Sequence, residues 1–526
     1  MKEENAQAEQ LPKSPISYWI EGTDIPTFNQ LQENIHADVV IVGGGITGIT
    51  TAYLLMKEGK KVALIEADQL LNGTTGHTTA KITAQHDLIY DEYITHFGVN
   101  KARLYYEANM EALQFIKDTV QEQNIDCEFE TEDAFLYATT EEYASKLEKE
   151  YEAYQKLHID GQLVDQIPFN IKITKGLSMK GQAQFHPLKY LAHLIQLMKE
   201  EGCLLFEKTV AVNIEENGED VSVLTRDGYS ITAKHIVSSS HFPFYEGTGL
   251  YSTRMYAERS YILAVKTKDE YPGGMYLSVD QPTRSLRSVT INGEKMVLVG
   301  GDSHKSGQGK DTLEHYNALK TFAQQTLASE EVVYRWSAQD LITIDKLPYV
   351  GAITPSKPNI LIATGYRKWG MTNGTAAARL LTDLIMEKDN PYQDVYSPSR
   401  FYADPSLKHF FKENVDVVKH LIKGKLEVPV KEVHELENDE GAAVLIDGHR
   451  KGAYKDKEGN VHIVDTTCTH LGCEVNWNHG ERSWDCPCHG SRFSYNGEVM
   501  EGPAEKPLQK YDYKILDNLT SEDSGY

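Results

Sequence analysis

Ala37-Asp-Val-Val-Ile-Val-Gly43-Gly-Gly45-Ile-Thr-Gly48 is the stretch on which the reading of this 526-residue chain turns. An apolar strand runs straight into G-x-G-x-x-G, and ITTAYLLMKEG (49–59) continues as a helix. In that strand, turn, helix setting, glycines let backbone amides approach a pyrophosphate at the helix N-terminus. A second strand, KKVALIE, ends in Glu66, at the spacing of about twenty residues where a carboxylate can bind ribose hydroxyls. Gly43, Gly45, Gly48 and Glu66 therefore read as a dinucleotide site. A glycine turn that serves only close helix packing is the alternative.

Outward from this stretch, strand-like and helical segments alternate to about residue 390, the pattern of an α/β protein with a mixed-sheet insertion. A polar N-terminal arm precedes them, to residue 36. NPYQDVYSPSRFYADPS (390–406) reads as loop, and VKHLIKGKLEVPVKEV as a short helix leading into a linker strand. From 431 the segments are short and β-rich with glycine turns, which predicts a small antiparallel all-β domain. The expected division is an arm (1–36), an α/β domain (37–410, its substrate subdomain near 90–170 and 245–335), a linker (411–430) and the β domain (431–526).

The formal charge of -24 argues against nucleic acid and against docking on an anionic membrane. The β domain is acidic too, with 10 Lys and Arg against 19 Asp and Glu in 431–526. No run of about eighteen apolar residues exists to span a membrane, and the polar N-terminus has no signal-peptide core. Of six cysteines, four cluster near the C-terminus, leaving Cys127 and Cys203 as expected buried thiols. A cytoplasmic location is the expectation.

Several α/β segments carry a resemblance. After Glu66, ADQLLNGTTGHTTAK (67–81) is rich in Thr and Gly and resembles the flavin-contacting loop of the D-amino-acid oxidase superfamily, which includes glycine oxidase and sarcosine dehydrogenase. QFHPLKYLAHLI (184–195), SAQDLITIDKLPYVGAI (337–353) and NILIATGYRKWGMTNGTAAARLLTDLI (359–385) resemble further stretches of that family, so the likeness covers about 37–390. It implies a Rossmann-type FAD-binding domain with a mixed-sheet substrate domain. FAD is implied to contact Thr74, Thr75 and His77, a strand containing Val210, and Gly365 and Gly370. GTTGH (73–77) also resembles a loop whose histidine is bonded covalently to flavin in the dimethylglycine and sarcosine dehydrogenases; covalent and noncovalent contact at His77 both stay open. IVSSSHFP (236–243) departs from the family, which usually has a glycine there. In the GYRKWG turn, Arg367 and Lys368 stand where glycine oxidase-like proteins place a carboxylate-binding arginine; a solvated surface pair is the other reading. Arg254 and Arg259 are weaker candidates.

Near the C-terminus, Cys468-Thr-His470 and Cys486-Pro-Cys488-His489 each offer one thiolate and one imidazole. Zinc also accepts two Cys and two His, but its finger spacings pair Cys with Cys and His with His. One of each per loop is the ligand set of a Rieske 2Fe-2S centre. CTHLGC (468–473) and CPCHGS (486–491) resemble that family over both loops, which implies Cys468, His470, Cys486 and His489 as ligands and a Cys473–Cys488 disulfide between the loops; a pair of free thiols is the alternative in a reducing compartment. Respiratory members resemble Gly-Ser-x-Tyr after the second histidine. This chain keeps Ser491 but has Phe493, so one hydroxyl donor to the sulfurs is missing.

A flavin takes an electron pair and an iron–sulfur cluster passes single electrons, so a chain with both is suited to splitting the pair. The family resemblance implies an amine or amino-acid-type substrate, with electrons leaving through the cluster to an external acceptor. A redox carrier or sensor without small-molecule turnover, and an oxygen-reducing oxidase, are the alternatives.

Overall fold

The computed structural model describes residues 11–309, 311–426 and 431–512. Strand Val39–Val42 is buried on both faces, as a central strand of a parallel sheet must be. It pairs in parallel with Val62–Ile65 and His235–Ser238. The six-stranded order is Tyr349–Ala352, Ile360–Thr364, His235–Ser238, Val39–Val42, Val62–Ile65, Leu204–Phe206, with only the first strand antiparallel. Strand alternation decides what covers each face. Val39, Ile41, Val62 and Leu64 pack under helices Ile46–Lys57, Pro187–Glu200 and Gly370–Ile385. Val40, Val42, Ala63 and Ile65 pack on a smaller sheet that contains Asp220–Thr225 and Ser230–Ala233.

The expected polar arm is built into the core over its described part. Trp19 is fully buried and donates to Thr78 O at 2.7 Å, while Ser17 Oγ donates to Gly76 O. Ile35 and His36 pair with Ile231 and Thr232. The two aromatics in SYWI outweigh the polar average of the segment, because a single buried Trp contributes about 2–3 kcal/mol of apolar transfer. Residues 1–10 of the arm lie outside the described residues.

A nine-stranded mixed sheet carries the second half of this domain, and it draws on segments well outside the two expected substrate stretches, including Lys175–Gln184. Its two long antiparallel strands, Met255–Thr267 and Ser329–Thr343, matter most. Tyr256, Glu258, Ser260 and Ile262 share one face with Ala338, Asp340 and Ile342, and these line a cavity. Ala257, Arg259, Ser337 and Gln339 alternate to the opposite face, where the C-terminal domain docks.

That domain is all-β, two four-stranded antiparallel sheets with the two Cys/His loops between their strands. The expected linker is mostly helix. Ala403–Leu426 is a single helix, and Val417 and Leu421, four residues apart, seal the core beneath the Cys/His loops. Residues 427–430 of the linker and 513–526 of the β domain lie outside the described residues.

Docking rests on a buried charge network. Arg259, fully buried, lies 3.1 Å from Glu501 and 3.5 Å from Asp485, and donates to Ser337 and Gln339. Arg492 joins the same carboxylates and Glu481. Around this centre, Gln339 donates to Gly490 O at 2.9 Å, Tyr316 to Glu481 at 2.5 Å and Arg335 to Gly480 O at 2.6 Å. Burial alone would raise the Glu501 carboxyl, but Arg259 and Arg492 outweigh it and bring it down to about 2.

Arg259→Met should cost about 3–5 kcal/mol, because it removes the fully buried partner of Asp485 and Glu501 and leaves Arg492 alone among three carboxylates. Urea unfolding, with proteolysis between the domains, measures this; unchanged stability would mean that the network does not hold the interface. In the wild type the Glu501 contribution is complete above the ordinary Glu value of about 4.3 and is lost as pH falls towards 2, since its folded pKa is depressed.

Candidate functional site

Between the glycine turn and the nine-stranded sheet lies a cavity of about 1200 Å³. Gly43, Gly44 and Gly45 line one end, with Glu66 beside them. Gly43 has φ +112°, and a Cβ there would come 2.5 Å from Ser239 O, so only glycine fits. Gly45 faces Thr75 Oγ1 at 3.1 Å from its ideal Cβ. Gly48 does not reach the cavity wall. Its Cβ would fall 1.9 Å from Gly43 O, which makes it the glycine of close helix–strand packing. Glu66 accepts from Gly44 N at 2.8 Å and Asp68 N at 2.9 Å; burial raises its carboxyl although these amides oppose the shift.

The IVSSSHFP departure has a local explanation. Ser239 N and Oγ donate to Val42 O, and the hydroxyl also reaches Gly43 O at 3.3 Å, so the serine braces the glycine turn. Thr75 Oγ1 accepts from Ile46 N at 3.1 Å, at the start of helix Ile46–Lys57, and Thr74 donates to Gln339 O. His77 lines the cavity and its Nδ1 bonds Gly73 O at 2.9 Å; burial lowers its pKa, which favours the neutral ring. Val210 also lines the cavity but precedes its strand, Ala211–Asn217. Gly370 opens helix Gly370–Ile385 at the wall. Gly365 stays off the wall; with φ +78° it packs against Thr343.

Arg367 and Lys368 both line the cavity, yet each is engaged. Arg367 donates to His86 O at 2.5 Å, and Lys368 lies 3.2 Å from Glu258. Arg254 is bound to Gly249 O and Pro398 O, and Arg259 belongs to the domain interface. Lys81, which the sequence reading passed over, also lines the cavity. Burial brings its amine down to about 7, and it donates to Tyr276 O and Ser285 Oγ. Part of the wall comes from the β domain, through Glu498–Glu505 and Pro507.

The two Cys/His loops bring their four side chains together. Cys468 and Cys486 are buried free thiols, hydrogen-bonded to one another; this bond draws the Cys468 thiol down and pushes the Cys486 thiol up. His470 and His489 rings lie 4.9 Å apart, and Nδ1 of each is buried without a hydrogen-bond partner. Burial lowers both imidazoles, His489 to about 4, which favours the neutral, ligating form. Two buried nitrogens without partners among the described residues, on loops whose two thiols meet, fit an iron–sulfur cluster. A disulfide joins Cys473 and Cys488, as the resemblance implied. Cys127 is buried and Cys203 half-buried, with burial pushing both thiols well up.

Residues 38–384 match the DAO family, FAD dependent oxidoreductase, and residues 427–512 match the Rieske [2Fe-2S] domain. The chain belongs to the DAO family of FAD dependent oxidoreductases. It binds FAD, and its C-terminal Rieske domain binds a 2Fe-2S cluster. It is 53% identical over 500 residues, 95% of this chain and 98% of the relative, to YhfW of Bacillus subtilis (strain 168), named as a Rieske 2Fe-2S iron-sulfur protein. Gamma-glutamylputrescine oxidoreductase of Escherichia coli (strain K12) is 22% identical, over 73% of this chain and 89% of that one. Glycine oxidase from Geobacillus kaustophilus has the same fold, with a TM-score of 0.60 at 19% identity over 70% of this chain and 100% of that chain. Among the described residues no helix is long and apolar enough to cross a membrane.

Two outcomes test this site. Gly45→Val puts a branched side chain into the cavity beside Thr75 and should yield folded protein without flavin; full flavin occupancy would mean that Gly45 does not approach the cofactor. Ser491 bonds Cys468, while the fully buried Phe493 offers no donor. Phe493→Tyr should raise the cluster potential, because a hydroxyl donor to sulfur favours the reduced state. Protein-film voltammetry reads it, and an unchanged or lowered value would remove the hydroxyl argument.

Proposed function

We propose that the protein oxidises an amine or amino-acid-type substrate and passes the electrons from FAD through the Rieske cluster to an external acceptor. FAD, when bound, supplies a two-electron acceptor and the cluster a one-electron carrier. Gly43, Gly45 and Glu66 would hold its dinucleotide portion, with Gly48 keeping the helix close. Thr74, Thr75, His77, Val210 and Gly370 would line the rest, and Gly365 would fix the turn before Gly370. Cys468, His470, Cys486 and His489 would hold the cluster.

One observation carries this reading: the cavity wall and the cluster loops touch directly. Ala504, on the wall, donates its N–H to Ser491 Oγ at 3.0 Å, and Ser491 bonds Cys468. Independently, Phe242 on the wall meets the His470 ring edge-on at 6.2 Å. Two short paths thus join the cavity to both kinds of cluster ligand, and the Arg259 network keeps them in register. The amine class is supported by the likeness to gamma-glutamylputrescine oxidoreductase and to the glycine oxidase fold.

Mixing the holoprotein with an amine panel under anaerobic conditions should bleach the flavin and cluster bands together. Phe242→Ala should slow cluster bleaching more than flavin bleaching. Flavin reduction with a cluster that stays oxidised, and peroxide formed in full yield when oxygen is admitted, would favour an oxidase instead.

A further inference from the structure

The two long strands of the cavity floor set two carboxylates face to face. Glu258 on Met255–Thr267 is directly opposite Asp340 on Ser329–Thr343, and both line the cavity. Like charges at directly opposed positions of antiparallel strands are destabilising. Only one of the pair has a direct ion partner, since Lys368 lies 3.2 Å from Glu258 and acts on Asp340 from farther off. The Asp340 side chain makes no hydrogen bond or ion pair among the described residues. A second polar group of the same floor, Ser260 Oγ, is buried without a partner. Of the cations proposed from sequence to clamp a carboxylate, Lys368 is paired with Glu258, and Arg367 gives one N–H to His86 O.

We infer that Asp340 is the residue that recognises the substrate, and that the group it receives is a protonated amine rather than a carboxylate. The inference rests on the amine-oxidising reading and names the chemistry of its substrate site. A cationic nitrogen placed against Asp340 answers the unpaired member of the carboxylate pair through a charge-assisted hydrogen bond. It also places the acceptor for the ammonium proton. The N–H bond breaks, an O–H bond forms on Asp340, and the nitrogen lone pair that oxidation of an amine requires is released. The groups acting on Asp340 are Glu258 on the neighbouring strand, Lys368 on the turn, Arg259 on the opposite strand face and Glu501 from the β domain. Burial, the largest effect, holds the Asp340 carboxyl up at about 7, so it takes and gives a proton near neutrality.

The test uses oxidised, flavin-loaded full-length protein, with 1,4-diaminobutane and acetate as probes, read by perturbation of the flavin spectrum and by thermal shift. The wild type should respond to the diamine, with affinity rising as pH increases through about 7. Asp340→Asn should lower that affinity on the order of 10- to 100-fold, the range for a charged hydrogen bond, and flatten the pH dependence. The variant should itself melt no lower than wild type at pH 8, because it removes a like-charge contact, which separates lost binding from lost folding. Diamine affinity unchanged in Asp340→Asn, or a wild-type response to acetate alone, would overturn the assignment. Because this binding needs neither turnover nor the cluster, a protein that binds the diamine through Asp340 but never reduces its cluster would refute the electron route and leave this inference standing.

Discussion

Arg259 is buried between two domains that the sequence alone shows as separate units. Its guanidinium faces Glu501 and Asp485 of the Rieske domain while bonding Ser337 and Gln339 of the flavin domain. A charge so placed is costly unless its partners are held close, so the ion network fixes one docking geometry rather than merely adding attraction. The contacts between the two domains follow from that pose. The Rieske loops meet the flavin domain at Gly490 and Phe242, and the 498–507 segment becomes a wall of the cavity.

The strand that carries Arg259 also shows how one element serves two sites. Ala257 and Arg259 face the Rieske domain, and the alternate positions, Tyr256, Glu258 and Ser260, face the cavity. A period of two makes the assignment all-or-none, because a slip by one residue would exchange the interface arginine for a cavity carboxylate. The cavity floor and the face on which the Rieske domain docks are thus coupled through a single register.

The helix Ala403–Leu426 adds a third constraint. Val417 and Leu421 close the core under the cluster loops, and Asn414 donates to Thr253 O on the flavin domain. The segment between the domains is therefore a brace, and its charged, interrupted sequence hid this because the helix buries only a narrow apolar stripe.

By itself the sequence determined the cofactors and the folds that hold them. G-x-G-x-x-G after an apolar strand, with Glu66 beyond it, and paired C-T-H and C-P-C-H loops, are local patterns whose chemistry depends on short spacing, and the family likenesses extended them. Gly43, Gly45, Thr75, His77 and Gly370 line the cavity, and the Cys473–Cys488 bridge formed. Tertiary structure alone decided what depends on residues far apart in the chain. It took Gly48 and Gly365 off the cavity wall, paired Lys368 with Glu258, set Asp340 opposite that same glutamate, and buried the aromatics of the N-terminal arm. Strand register, cross-strand electrostatics and domain docking arise only when segments separated by tens to hundreds of residues are brought together, and no local pattern records their partners.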